Sequence, residues 1–355
     1  MNNHRDNTLD IAKGIAIFLV VFGHILQYTV VPTGIDFFKN PLFEVIYSFH
    51  MPLFMFVSGY LSTFSLQRRS LKDNFKIKTN GILIPYILWT IILVLITLLL
   101  KHIIVGETIN VIGFLKMLVA NLIVYPNIWF LYVLFLFYCI LYFTIYMEKK
   151  IGVFSYIISA FFIILIPFKI YFGIYYIQFF YLFFLAGYLI NCYKLKYNIR
   201  SVNKKFAKFI ILLLIYLLLM SQWGKSDYIY VNLMKISSDN LLLEILRIIY
   251  RFLVAFVGIF LVLFISNFIS RFNISSILKK MGTYSLDIYM IQNIIVSLIY
   301  RELIKVSGFQ INDDQLIIFC FMVTIISITL CVNISKYIIR KMEMLNKLLL
   351  GRGQT

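Results

Sequence analysis

The chain has 355 residues, of which 62% are hydrophobic and 14% charged, and its mean hydropathy is +0.91. This composition excludes a soluble globular enzyme and points to a polytopic membrane protein. The formal charge of +18 does not argue for nucleic acid, because Lys and Arg fall mostly in short connections between apolar runs, where positive-inside topology accounts for them.

Crossing a bilayer takes roughly 17 to 25 apolar residues, and ten windows qualify: 9–30, 42–62, 82–100, 128–147, 151–168, 171–192, 207–223, 241–266, 283–301 and 315–335. The prediction is an all-α polytopic bundle forming one transmembrane domain over 1–355, since no connection is long enough for a separate soluble domain. Residues 109–126, interrupted by Lys116 and Asn121, read as an interfacial or re-entrant piece. With the N-terminus in the cytosol, 22 basic residues fall on the inside and eight on the outside, so both termini are expected to be cytosolic.

The first window carries Lys13 and His24, which lipid should exclude; a charge near the middle of such a helix costs on the order of 3 kcal/mol. Eleven residues at 100° each come to about 20° beyond three turns, so the two share a face and stand roughly 16 Å apart along the axis. Asp10, three residues before Lys13, is placed to form an ion pair with it; a purely structural pair, with Lys13 snorkelling to the interface, is the competing reading. Lys13 and His24 interrupt the apolar run and no small-residue cleavage site follows, so the first helix is expected to be retained.

In the second window His50 lies about two turns below the outer end, at a depth similar to that of His24. Trp129 opens the fourth window at the interface, a common place for its amphipathic ring. The eighth holds Glu244, Arg247 and Arg251 on one stripe; Arg251, roughly 15 Å below the outer end, reads as a charge inside the bundle. Asp287 enters the ninth from the cytosolic side, as a structural ion pair or a substrate contact. Cys139, Cys192, Cys320 and Cys331 show no metal-ligand spacing, no metal site is expected, and packing is their expected role.

Taken together, Lys13 and His24 with ten residues between them, Leu9-Asp-Ile-Ala-Lys-Gly-Ile15, Phe49-His-Met-Pro-Leu-Phe54, Val57-Ser-Gly-Tyr60, Ile84-Pro-Tyr86, Trp129-Phe-Leu131 and Gly282-x-x-Ser-Leu-x-Ile-Tyr289 resemble, in order, the motifs of the integral-membrane acyltransferase 3 family, in its sugar O-acetylase-like branch. The chain departs from that pattern at Gln292, where the family often has His, and at Gly81, where a basic residue is expected; Lys76 and Lys78 lie close to Gly81 as substitutes. The resemblance implies a bacterial cytoplasmic-membrane O-acyltransferase with no bound cofactor. It implies acetyl-CoA as donor and a surface polysaccharide or lipid-linked sugar as acceptor.

On that reading His24 and Lys13 are the catalytic residues, His24 as base and Lys13 on the same helix face toward the cytosolic end. Lys76, Lys78 and Arg251 contact the donor, His50 and Trp129 the acceptor, and Asp10, Asp287 and Arg247 support them. Two other classes remain: a transporter or flippase for a polar solute, which also needs charges in a bundle, and a non-catalytic partner in polysaccharide assembly.

Overall fold

A computed structural model describes residues 7–34, 36–108, 110–166, 171–193, 203–232, 240–308 and 311–352. They form α1 (Asn7–Val30), α2 (Pro41–Leu66), α3 (Leu71–Lys78), α4 (Ile84–Val105), α5 (Val111–Val119), α6 (Trp129–Ile151), α7 (Phe154–Leu165) and α8 (Ile174–Cys192). There follow α9 (Asn203–Met220), α10 (Leu241–Ile269), α11 (Ser275–Thr283), α12 (Ser285–Ile294), α13 (Arg301–Ser307), α14 (Asp313–Ile334) and α15 (Glu343–Leu350). The architecture is an all-α polytopic bundle, as predicted. Helices bond their backbone polar groups internally, which is what hydrocarbon requires.

Seven helical stretches among the described residues are long and apolar enough to cross a membrane, namely 7–33, 41–66, 71–104, 129–151, 171–192, 241–269 and 314–339. Two of the ten predicted windows, 151–168 and 207–223, contain the shorter apolar helices Phe154–Leu165 and Ala207–Met220. The ninth runs as one helical stretch from Ser285 to Ser307, with π-helical turns over Ile295–Tyr300. The piece read as interfacial is the short apolar helix Val111–Val124.

Local chemistry fixes where the second helix begins. The Asn40 side chain accepts from Leu42 N and Phe43 N, with Pro41 at the first helical position, a combination that satisfies helix-start amides and pre-sets the backbone. Two pairs of small residues then bring backbones together. A methyl group on Gly59 would strike the Phe184 carbonyl, and one on Gly187 the Phe56 carbonyl, so α2 and α8 touch reciprocally. Gly14 and Gly282 do the same for α1 and α11, against Leu278 and Asp10. Close approach of this kind substitutes for the hydrophobic driving force that lipid removes.

Outward faces are apolar: Leu214, Leu217 and Leu218 on α9 and Ile318, Met322 and Ile326 on α14 are exposed, as a lipid-facing surface should be. The polar side chains turn the other way. α1 packs against α2, α12 and α14, and this group of helices surrounds the site.

The α2–α8 seam should not accept a β-branched side chain. Gly187→Val is expected to cost about 1–3 kcal/mol by overpacking, read as a fall in the melting temperature of the detergent-solubilised protein, whereas Leu218→Ala on the lipid face should leave it nearly unchanged.

Candidate active site

Two cavities are lined by the described residues. One, of about 470 Å³, contains His24; the other, of about 320 Å³, contains Lys13. Met51 and Tyr289 line both, so these two side chains stand at the boundary between them. Lys13 and His24, on one face of α1, therefore open into two adjoining cavities.

The His24 cavity is built from short-range repeats on three helices. His24 and Tyr28 come from α1, Tyr47, His50 and Met51 from α2, and Tyr289, Asn293, Ser297 and Arg301 from the helical run 285–307. Those last four recur every fourth residue, the spacing that lines one helix face, and the π-helical turns at Ile295–Tyr300 lie within this wall. Such turns are common at functional sites.

His24 Nδ1 lies 3.1 Å from Gln292 Oε1. Gln292 is fully buried and its Nε2 donates to the Tyr289 carbonyl at 3.4 Å, which fixes the amide so that its oxygen faces the imidazole. That oxygen can only accept, so Nδ1 carries the proton and Nε2 keeps its lone pair. Thr29 Oγ1 and Tyr300 OH, 2.7 Å apart, hold the same two helices together farther along. His50 donates from Nδ1 to the Ile46 carbonyl at 2.6 Å, which leaves its Nε2 as an acceptor too. Trp129 stands on the cavity wall with its ring stacked on Tyr176, centroids 4.0 Å apart at 12°, and on Phe180.

The Lys13 cavity is lined by Lys78, Gly81, Ser285, Leu350 and Arg352 as well. Lys13 pairs with Asp10 at 2.8 Å, and the Lys78 ammonium sits 4.0 Å above the Tyr138 ring. Asp287, fully buried, accepts on Oδ2 from Ser335 Oγ at 2.5 Å and Arg340 Nη2 at 2.6 Å, while Arg352 Nη2 stands 3.1 Å from Oδ1 as an ion pair without hydrogen-bond geometry.

Lys13, Lys78, His24, His50 and Trp129 thus line the two adjoining cavities, and Asp10 and Asp287 pair with Lys13 and Arg352 of the Lys13 half. Lys76 is exposed and lines neither cavity. Arg251 and Arg247 do not reach the Lys13 half. Arg251, 1% exposed, donates to the Ser226 carbonyl at 2.5 Å, and Arg247 faces Asp227 at 3.7 Å, so α10 fastens the loop 221–232. Ile229 and Tyr230 of that loop line the His24 cavity. Sequence reasoning did not place Gln292, Tyr289, Asn293 or Arg352 at these cavities; for Tyr289 and Asn293 the four-residue repeat from Tyr289 to Arg301 was the available signal.

The family profile described as the acyltransferase domain, acyltransferase 3, matches residues 6–334. The chain belongs to this family. Within curated proteins it is similar to the nodulation protein NolL of Mesorhizobium japonicum and that of Sinorhizobium fredii, each 44% identical over 87 residues. The stretch covers 24% of this chain and 23% and 24% of those relatives, so the match spans about a quarter of their length. No solved structure matches the chain. The profile takes in every motif from Lys13 to Tyr289 and every residue lining the two cavities except Leu350 and Arg352.

The loop 221–232 is tied to the segment after α1 by Asp36 and Lys225, 3.1 Å apart, with the same ammonium over the Phe38 ring. The hydrogen bond from Lys225 holds the Asp36 carboxyl below its ordinary range. A carboxylate depressed by folding contributes above its unfolded pKa, and the contribution is lost as pH falls through the folded value. The tie should therefore persist at neutral pH and release in acid, below about pH 4. Amide exchange in 224–232, corrected for intrinsic rate, should rise there in the wild type, whereas Asp36→Asn should show the faster exchange already at pH 7.

Proposed function

We propose that the protein is an O-acyltransferase of the bacterial cytoplasmic membrane that moves acetyl from acetyl-CoA to a hydroxyl of a surface polysaccharide or its lipid-linked precursor. The observation that carries this reading is the pair of adjoining cavities, cationic in one half and rich in hydrogen-bonding groups in the other, with Met51 and Tyr289 in both linings; the boundary at those two side chains is proposed as a neck through which the cavities connect. Membership of the acyltransferase family supports the reaction class.

The Lys13 half is proposed as cytosolic. The loops at that end carry the basic clusters at 68–78, 149–150, 271–280 and 336–352, the distribution that positive-inside orientation produces. Coenzyme A then enters from the side where it is made. Its phosphates rest near Lys13 and Lys78, and its narrow thioester arm passes the neck. The acceptor enters the other half, where Trp129, His50 and Asn293 offer an aromatic edge and hydrogen-bonding groups suited to a sugar.

The chemistry follows from the tautomer. His24 Nε2 takes the proton from the acceptor hydroxyl as its oxygen bonds to the thioester carbonyl carbon. The tetrahedral intermediate collapses, the carbon–sulfur bond breaks, and the proton on the imidazolium passes to the leaving sulfur. The acceptor gains an ester and coenzyme A leaves as the thiol. Gln292 does not touch the reacting atoms; it is a positioning residue that keeps the lone pair on Nε2.

Surface glycan from cells with the protein should carry ester-linked acetate released by mild alkali, and glycan from cells lacking it should not. A change in glycan amount without a change in acetate would favour a carrier instead. His24→Ala should abolish decoration while the protein remains in the membrane; retained acetylation would remove His24 as base. Gln292→Leu should lower transfer roughly 10- to 100-fold with donor affinity unchanged, and an equal loss of donor binding would make Gln292 merely structural.

A further inference from the structure

The tail of the chain folds back across the open side of the Lys13 cavity. After α14 the π-helical turns Ser335–Ile339 lead to α15, and Gly351 and Arg352 close the descent. Three contacts seat this strap. Trp89 Nε1 donates to the Leu349 carbonyl at 2.9 Å, Leu350 is 2% exposed on the cavity wall, and Gly351 meets Gly81 backbone to backbone, so closely that a Cβ on Gly351 would strike Gly81 and Asn80. Gly351 has φ of 63°, a left-handed value that turns the chain so that the next side chain points inward. That side chain is Arg352.

The strap lies past residue 334, where the family match ends. Its cation is therefore a contribution of this chain's own tail to a cavity built otherwise by the matched domain. The charges there are unequal. Two guanidinium groups, Arg340 and Arg352, share the single carboxylate of Asp287, and Lys78 rests on an aromatic ring rather than a carboxylate. Lys13 has its own acid in Asp10. Arg352, Lys78 and Lys13 all line the cavity.

The two arginines are not equivalent. Arg340 is held twice on Oδ2 of Asp287, through Nε at 3.0 Å and Nη2 at 2.6 Å, lies over the Tyr284 ring at 3.8 Å and does not line the cavity. Arg352 meets the other oxygen at 3.1 Å, is more exposed (37% against 26%) and does line it. If Arg352 turns toward a ligand, Asp287 keeps Arg340 and Ser335, so the move leaves no buried carboxylate without a partner. A planar guanidinium beside an ammonium is the arrangement that grips phosphate oxygens.

We infer that Arg352, carried on the C-terminal strap and seated by the Gly81–Gly351 contact, is a binding residue for the phosphate groups of the acyl donor, acting together with Lys78. The inference rests on the donor reading given above and adds to it a residue and a segment. Strap and donor share one site: the strap forms the wall on which the phosphates lie, and the thioester arm leaves from there toward Met51 and Tyr289.

Equilibrium binding to the purified full-length protein in lipid nanodiscs tests this without knowledge of the acceptor. The probes are coenzyme A and pantetheine, which has the arm but no phosphate. Wild-type protein should bind coenzyme A more tightly than pantetheine. Arg352→Ala should weaken coenzyme A about tenfold, the loss of one charge-assisted contact, and leave pantetheine unchanged. Arg352→Lys should recover part of the loss. Gly351→Val, which drives the strap off Gly81 with Arg352 intact, should also weaken coenzyme A selectively.

If Arg352→Ala binds coenzyme A as the wild type does, or loses both probes equally, the inference is overturned while the donor reading stands. Wild-type protein that does not bind coenzyme A overturns the donor reading itself, and the inference with it.

Discussion

Hydrocarbon cannot solvate an ammonium, an imidazole or a carboxylate, so a bundle that keeps such groups within its spans must supply an interior for them. Here that interior is made by backbone contact. Gly14 and Gly282 let α1 and α11 touch, Gly59 and Gly187 let α2 and α8 touch, and the space left among α1, α2, α4, α6, α8 and the run 285–307 is the pair of adjoining cavities. Lys13 and His24 keep their place in an apolar helix because each opens into that space and not into lipid.

The two cavities differ in chemistry. The Lys13 half gathers Lys13, Lys78 and Arg352, whereas the His24 half gathers amides, hydroxyls and rings, with one guanidinium, Arg301, that pairs with Glu302. Separation matters for a base, because a cation close to His24 would oppose protonation of the imidazole during proton transfer. The immediate partner of His24 is instead the neutral amide of Gln292, which sets the tautomer without adding charge. On the donor reading proposed above, an unbranched Met at the shared boundary suits the passage of a thin arm, since Met adapts its shape at little cost.

Helical arithmetic recovered much of this from the sequence. An eleven-residue interval fixes Lys13 and His24 on one face whatever the tertiary structure, and depth along α2 brings His50 level with His24, since helix rise is invariant. Depth alone does not name a partner. Arg251 lies about as deep as estimated yet serves the loop 221–232, because its acceptor is the Ser226 carbonyl, and no periodicity encodes a backbone carbonyl in a loop. Arg352 was unreadable for a related reason: its position depends on two glycines 270 residues apart, Gly81 and Gly351, coming into contact. Gln292 stood out in sequence only as a departure, since an amide in a span has no intrinsic role until an imidazole faces it.

The polar contacts fall into two energetic groups, and the division explains which residues can serve a ligand. Asp287 itself is fully enclosed, so taking away Arg340, its closest cation, strands charge where water does not reach, at up to about 3–5 kcal/mol. Arg251 on Ser226 and Thr29 on Tyr300 are likewise enclosed, so these groups hold helices and loops in place. At the cavity edge the balance reverses. Lys13 retains 19% and Arg352 37% of side-chain exposure, and pairs that partly see water contribute nearer 0–1 kcal/mol. Such a contact can be exchanged for an anionic ligand at little cost, provided the acid left behind keeps another partner. Asp287 does, through Arg340 and Ser335. A carboxylate with more than one donor is therefore what allows this cavity to be cationic toward a ligand and still neutral enough to remain folded without one.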